Sequence, residues 1–148
     1  MSDLWISQDE ADRLISTPKR RADDSNHLFP PADRQYKIEI VSVDGRETFI
    51  LDMSCSSKVV QELKLQKRSR GNIVLVRLDI SGAPHRNPDG VEYPCPHIHT
   101  YKEGYGDSWA SPIDSSIFSN TEDHWITIHE FFRFCNIDPP PNLIKSLF

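Results

Sequence analysis

The stretch that most limits the fold of this chain is 73–80, where six of eight side chains are aliphatic. Successive side chains of a strand point to opposite faces of a sheet. One face of this strand is wholly apolar and is expected to lie in a core: its side chains are Val74, Val76, Leu78 and Ile80. The other face, which begins with Ile73 and Leu75, becomes polar at Arg77 and Asp79. The sequence therefore predicts a sheet with one buried face.

Further strands are predicted on both sides of this one. Segment 36–53 is typical of a hairpin, because two runs rich in β-branched residues flank Asp44-Gly45, the pair that favours a type I′ turn. A third strand is predicted at 62–68, with a turn at 69–72, and a short strand at 96–103. Between them, four prolines and two glycines within 82–96 predict a structured loop.

A short helix is predicted near the start of the chain. Ser7 and Glu10 form a capping box, and apolar residues follow at helical spacing, so we expect a helix at 7–17. Pro18 ends it. The polar stretch 18–35, which contains two adjacent prolines, is expected to be an extended connector.

A second helix is predicted at 119–136, where Ser119 and Glu122 form another capping box. Its apolar stripe is expected to face the sheet and consists of Trp125, Ile128, Phe132 and Cys135. The expected fold class is α+β: a curved, mainly antiparallel sheet of about five strands, with both helices packed on it. Residues 1–148 are expected to form a single domain, with the sheet and a histidine-rich loop within 36–110.

Composition sets limits on function. The net charge of −5 disfavours a protein that coats nucleic acid by charge alone. Segment 58–86, however, contains seven basic residues and only two acidic ones. No apolar run of 18 residues occurs, and the acidic N-terminal segment lacks the layout of a signal peptide, so we expect a cytoplasmic protein without membrane contact. Three widely spaced cysteines form neither a disulfide framework nor a zinc ribbon.

The chemistry is expected within residues 77–109, which hold three of the six histidines. In a strand, His97, His99 and Tyr101 would point to one face, away from a core anchored by Ile98. We therefore expect the histidine pair to look outward, with the loop that carries His85 folded over the same face.

The first interpretation is metal-free cleavage of RNA. One neutral imidazole would take the proton of the attacking 2′-hydroxyl, and a protonated one would give a proton to the leaving oxygen. The expected catalytic residues are His97, His99, His85 and Arg77. The expected substrate-binding residues, which would hold phosphate or stack on bases, are Arg86, Tyr101, Lys102 and Trp109.

Other interpretations remain open. His97 and His99 would suit zinc or iron, with His85, Asp79 or Glu103 completing the set, in a metal-dependent enzyme of unknown substrate. The histidines would otherwise be structural, on a sheet face. A non-catalytic binding protein of a mobile element or phage, which inhibits a host defence system, also fits an acidic small domain.

The run VRLDISGAPHRNPDGVEYPCPHIHTYKEGYGDSWA at 76–110 resembles a small bacterial family of unknown function. That resemblance extends to ADRLISTPKR near the start and FFRFCNI near the end. The core motif also resembles TumE-like toxins of toxin–antitoxin pairs, through Arg77, Asp79, Pro84, His85, Pro96, His97 and His99. This second resemblance implies a cytosolic growth-arresting toxin that acts on RNA or translation and is neutralised by an antitoxin. The chain differs from such toxins in its longer N-terminal region and acidic balance.

Overall fold

A computed structural model describes residues 5–31, 35–55, 59–67 and 71–145. The helices are α1 (Gln8–Ser16) and α2 (His124–Phe134). The strands are β1 (Lys19–Arg21), β2 (Asn26–Phe29), β3 (Gln35–Ser42), β4 (Thr48–Cys55), β5 (Val59–Lys67), β6 (Gly71–Asp79), β7 (His85–Arg86), β8 (Glu92–Tyr93), β9 (His97–Thr100), β10 (Ala110–Pro112) and β11 (Asn142–Lys145). The predicted α+β class is confirmed.

The main sheet is antiparallel throughout its described part, in the order β1-β3-β4-β5-β6-β9-β10. It has seven strands, where about five were expected, because short β1 and β10 extend it at its two edges. Two small sheets accompany it: β11 pairs with β2 in parallel, and β7 pairs with β8 as a hairpin. The expected connector at 18–35 thus contains β1 and β2, whose pairing partners lie elsewhere in the chain.

The first helix begins as the sequence predicts. Ser7 caps α1 by accepting a hydrogen bond from the backbone N–H of Glu10, at 3.1 Å. Ala11 and Leu14 lie on its inner side and are fully buried. Local capping and apolar spacing therefore suffice to define this element.

The hairpin of β3 and β4 forms, but not with the predicted turn. A type I′ turn would place both Asp44 and Gly45 at positive φ. Only Gly45, with φ of 77°, has that conformation, and its N–H donates to the carbonyl of Ser42. The Asp44 carboxylate accepts from the Ser42 hydroxyl and from the Arg46 N–H, and so favours a wider loop.

Strand β6 carries the apolar residues of the predicted strand, but its alternation is interrupted. Leu63 pairs with Val76 and Lys64 with Val74, so Leu75 is passed over as in a β-bulge. Val74 is consequently only half-buried, whereas Leu75 is fully buried. The predicted turn at 69–72 and the predicted end of β5 at Arg68 lie partly outside the described residues.

The second helix starts later than predicted. Asp123 caps α2 by accepting from the N–H of Ile126, and the helix begins at His124 rather than at 119. Ser119 instead donates its hydroxyl to the buried carboxylate of Glu130, at 2.8 Å. Of the predicted stripe, Ile128, Phe132 and Cys135 are buried in the core and Trp125 is partly buried against it.

A buried lysine joins the two helix ends. Lys19 is fully buried, and its Nζ donates to the carbonyls of Ile15, Thr17 and Cys135 at 2.8, 2.9 and 2.9 Å. Burial lowers the pKa of Lys19 to about 8. We call this group the lysine centre.

Candidate active site

Four polar side chains share one face of the main sheet. Arg77 lies opposite His99, and Asp79 lies opposite His97, in the pairing of β6 with β9. Because directly paired residues point to the same side of a sheet, these four side chains project together. Leu78 and Ile98 point to the other side, into the core that also contains α2. The face predicted for the two histidines is therefore the one they occupy.

The expected exposure of this histidine pair is wrong. His97 and His99 retain only 1% and 0% of their accessible surface. The hairpin of β7 and β8 lies over them and is fixed to β10 by a reciprocal pair of bonds. The buried Asn87 side chain donates to the Ala110 carbonyl at 2.9 Å and accepts from the Ala110 N–H at 2.8 Å.

The third histidine joins the pair from that covering hairpin. The ring centroid of His85 lies 4.6 Å from that of His99 and 5.9 Å from that of His97. The centroids of His97 and His99 are 4.9 Å apart. His85 is only half-buried, so it forms the solvent side of the group. We call His85, His97 and His99, together with Arg77 and Asp79, the histidine cluster.

Arg77 connects the cluster to two carboxylates. Its Nε and Nη2 donate to the two oxygens of Asp79 at 2.9 and 3.2 Å, and its Nη1 donates to Asp107 at 2.9 Å. Nη2 also lies 3.0 Å from Nε2 of His99. Burial acts to raise the pKa of Asp79, but its contacts with His99 and Arg77 outweigh burial and hold that pKa well below its ordinary range. Asp79 is thus a buried, ionised carboxylate.

Metal-ligand types also converge here. Among the described residues, the ligand atoms of Asp79, His97 and His99 lie within 4.8 Å of one another. Glu103, which the sequence offered as a further ligand, instead accepts from the N–H of Gln8 at 2.7 Å. The chemistry available is therefore acid–base work by imidazoles, anion binding by Arg77, or coordination of a cation.

The predicted substrate-binding residues are not all placed together. Tyr101 is 3% exposed, and its hydroxyl donates to the Ile6 carbonyl and accepts from the Ile6 N–H, so its expected role in base stacking is wrong. Arg86 is exposed but is adjacent to His85 in β7 and thus points to the other side of that hairpin.

Exposed Lys102 and half-buried Trp109 form a separate patch. The Lys102 ammonium lies 4.3 Å from the Trp109 ring centroid, as in a cation–π contact. Tyr105, which the sequence analysis did not select, meets Trp109 edge-on at 5.6 Å. The indole N–H of Trp109 is buried and makes no hydrogen bond within the described part of the chain.

Asp107 and Asn87 lie within the stretch 77–109 that the sequence singles out, but neither of them has a role predicted from the sequence. Asp107 binds Arg77 through its carboxylate and His99 through its carbonyl. Asn87 starts the turn Asn-Pro-Asp-Gly, and the residue types of that turn were the available signal. Half-buried Cys95 lies beside the cluster, with Sγ 3.6 Å from Nδ1 of His97.

Fold and site together define an α+β protein in which an antiparallel sheet carries a covered histidine cluster. Residues 6–137 match the model of a family described as a family of unknown function, DUF6978, and the chain belongs to that family. No curated protein and no solved structure matches the chain. The resemblance to TumE-like toxins is not shown. Within the described residues, neither helix is long and apolar enough to cross a membrane.

Proposed function

We propose that this protein is an RNA-directed, toxin-type ribonuclease whose chemistry takes place at the histidine cluster. The observation that carries the proposal is the position of His85, a half-buried imidazole 4.6 Å from His99 and on the solvent side of Arg77's network. An imidazole and a guanidinium are the groups that a phosphodiester cleavage needs for proton transfer and for phosphate charge.

His85 has the proton arrangement of a general base. Its Nε2 lies 2.7 Å from the Ser108 carbonyl, which only accepts, so the proton is on Nε2 and the lone pair is on Nδ1. In the proposed step, the 2′-oxygen bonds to phosphorus while its proton passes to Nδ1. The P–O5′ bond breaks, and the leaving oxygen takes a proton from water. The hydroxide that remains takes the proton from Nδ1 of His85, which restores water and the neutral imidazole.

The other residues then have supporting roles. Arg77, whose side chain is 23% exposed, holds the phosphate and is oriented by Asp79 and Asp107. His97 and His99 are too buried to touch RNA and act as positioning residues. The patch of Lys102, Tyr105 and Trp109 offers a cation and aromatic surfaces to an unpaired stretch of RNA. As a toxin, the protein acts in the cytoplasm and is neutralised by a partner antitoxin.

The test uses an oligodeoxynucleotide with one central ribonucleotide and the same strand with a 2′-O-methyl group there. We expect the wild type to cleave only the first, leaving a 2′,3′-cyclic phosphate. His85→Ala should lower the rate by roughly 10² to 10⁴-fold. His124→Ala, a change at an exposed histidine of α2, is the matched control and should leave the rate unchanged.

Two results would overturn the proposal. One is the absence of cleavage of any ribonucleotide-containing strand by the folded wild type. The other is equal cleavage by wild type and His85→Ala, which would assign the activity to another site or to a contaminant. Growth after induced expression, at matched soluble protein levels, tests the toxin part: only the wild type and His124→Ala should arrest growth.

A further inference from the structure

The three imidazoles of the cluster share a hydrogen-bond pattern that no single role in RNA cleavage requires. Each has one ring nitrogen next to a backbone carbonyl: His85 Nε2 is 2.7 Å from Ser108 O and His99 Nδ1 is 2.8 Å from Asp107 O. His97 Nδ1 is 3.2 Å from Pro94 O. A carbonyl oxygen accepts but does not donate, so a hydrogen bond at each of these contacts requires the proton on that ring nitrogen. Nδ1 of His97 also lies 3.6 Å from Sγ of Cys95.

This anchoring fixes where the lone pairs are. When the rings are neutral, they lie on Nδ1 of His85 and on Nε2 of His97 and His99. The form of His99 that donates to Asp79, and so lowers the pKa of that carboxyl, carries a proton on both ring nitrogens and must lose one to bind a metal. The two Nε2 atoms face the carboxyl group of Asp79, at 3.3 Å from His97 and 3.6 Å from His99. Three electron-pair donors thus point at one another across a dry interior. In this structure the guanidinium of Arg77 supplies positive charge to two of them, because its Nη2 donates to Asp79 Oδ2 at 3.2 Å and lies 3.0 Å from Nε2 of His99.

The distances between the ligand atoms indicate which cation would fit between them. Ligands bonded to a tetrahedral zinc ion at about 2.0–2.1 Å are separated by roughly 3.3 Å. The distances from Asp79 Oδ2 to Nε2 of His97 and to Nε2 of His99, 3.3 and 3.6 Å, are close to that value. The ligand atoms of the two histidines lie within 4.8 Å of each other. Metal-binding histidines also characteristically donate their second N–H to a carbonyl or carboxylate, as these do.

We propose that Asp79, His97 and His99 form a binding site for a divalent transition metal ion of the zinc or ferrous type. Two imidazoles and one carboxylate favour these ions over magnesium or calcium, which prefer oxygen ligands throughout. Three protein ligands leave coordination positions for water or substrate. His85 lies beside this triad and keeps its Nδ1 lone pair for proton transfer. The inference depends on these contacts and stands whether or not the substrate is RNA.

A bound ion would require Arg77 to move. Its Nη2 would have to leave two of the proposed ligands, since it now lies 3.0 Å from His99 Nε2 and donates to Asp79 Oδ2 at 3.2 Å. Its Nη1 bond to Asp107, at 2.9 Å, is directed away from the triad and retains the guanidinium at the edge of the site. Asp79 and Asp107 together carry one charge more than Arg77, so the site favours a cation.

The experiment measures metal binding directly. Protein freed of metal with a chelator is titrated with Co²⁺, whose visible d–d absorption reports ligand number, and with Zn²⁺ by calorimetry. We expect one ion per chain. X-ray absorption of the zinc form should show only nitrogen and oxygen ligands at about 2.0–2.1 Å, because Cys95 lies on the Nδ1 side of His97.

Variants identify the ligands. Asp79→Asn and His97→Gln should weaken binding at least tenfold, whereas His85→Ala should bind the ion as the wild type does. The three histidines outside the cluster, at positions 27, 124 and 129, provide matched alanine controls. If a ligand variant does not fold, zinc should raise the melting temperature of the wild type and of His85→Ala alike, and no rise in the wild type would overturn the site.

The outcomes separate this inference from the proposed ribonuclease. A folded wild type that binds no ion more tightly than His97→Gln overturns the metal site. Weaker ion binding by His124→Ala than by the wild type would also overturn it, as would a sulfur ligand in the absorption spectrum. Metal binding without RNA cleavage would leave the site in place and remove the ribonuclease; RNA cleavage without metal binding would do the reverse.

Discussion

The lysine centre and the histidine cluster are both buried polar groups, but they differ in the number of hydrogen-bond donors relative to acceptors. In the lysine centre, the three N–H bonds of an ammonium meet three backbone carbonyls. In the histidine cluster, Nε2 of His99 and the Asp79 carboxylate face one guanidinium that also serves Asp107, and Nε2 of His97 faces that same carboxylate. A balanced centre stabilises the fold by itself, whereas a centre with surplus acceptors is completed by a proton, a cation or a substrate.

The largest effect is expected at the balanced centre. Lys19→Met leaves three buried carbonyls without a donor, and should lower the free energy of unfolding by about 3 to 4 kcal/mol. Urea unfolding followed by circular dichroism measures this. Lys145→Met, at an exposed lysine of β11, is the control and should change stability by less than about 0.5 kcal/mol. Equal effects would mean that the carbonyls do not depend on Lys19.

The same centre predicts a pH dependence. The folded chain releases the Lys19 proton near pH 8, while the unfolded chain keeps it until about 10.5. Folding therefore releases a proton between these values, and stability rises with pH across that window. The stability difference between wild type and Lys19→Met should grow by up to about 3 kcal/mol from pH 8 to 10.5. A flat or falling difference would contradict a lowered pKa of Lys19.

Within the histidine cluster, the two carboxylates should differ. Asp79→Asn removes the buried partner of Arg77 and should cost about 2 kcal/mol in metal-free protein. Asp107→Asn removes a carboxylate that is 35% exposed and should cost less than about 1 kcal/mol, because Arg77 keeps Asp79. Parallel urea titrations compare the two variants. A larger loss for Asp107→Asn would show that the outer pair, not the buried one, orients Arg77.

The smallest stability effect is expected at the solvent side of the cluster. His85→Ala loses one hydrogen bond to the Ser108 carbonyl from a half-buried ring, so the free energy of unfolding should fall by about 1 kcal/mol or less. The same variant should lose RNA cleavage. Both quantities should be measured on one preparation, where we expect a large loss of cleavage rate and a small loss of stability. A loss of unfolding free energy as large as that of Lys19→Met would instead show that His85 is a structural residue.

The elements that could be predicted from the sequence are those set by neighbours along the chain. Ser7 caps α1 through an N–H three residues away, and the apolar residues of β6 define a buried strand without knowledge of its partners. The shared face of Arg77 and Asp79 follows from alternation alone. The class of fold and the location of the cluster were accordingly predictable.

What could not be predicted depends on distant partners. The bulge at Leu75 exists only in the pairing of β6 with β5, and the late start of α2 follows from the Ser119 bond to Glu130. Burial of His97 and His99 needs the hairpin that Asn87 fixes to β10. The sequence of the covering segment is typical of an exposed loop. For this reason the sequence predicted that the histidines would be accessible to solvent, whereas they are buried in the structure.

Sequence separation gives the lysine centre a kinetic meaning. The bond from Lys19 to the Cys135 carbonyl joins positions 116 residues apart, whereas the Arg77 and His99 contact joins positions 22 apart. Closing the longer loop costs more chain entropy, so the native lysine bond is expected to form after the folding barrier has been crossed. Its loss should then accelerate unfolding and leave the refolding rate nearly unchanged. The lysine centre would thus slow unfolding and set the lifetime of the folded state.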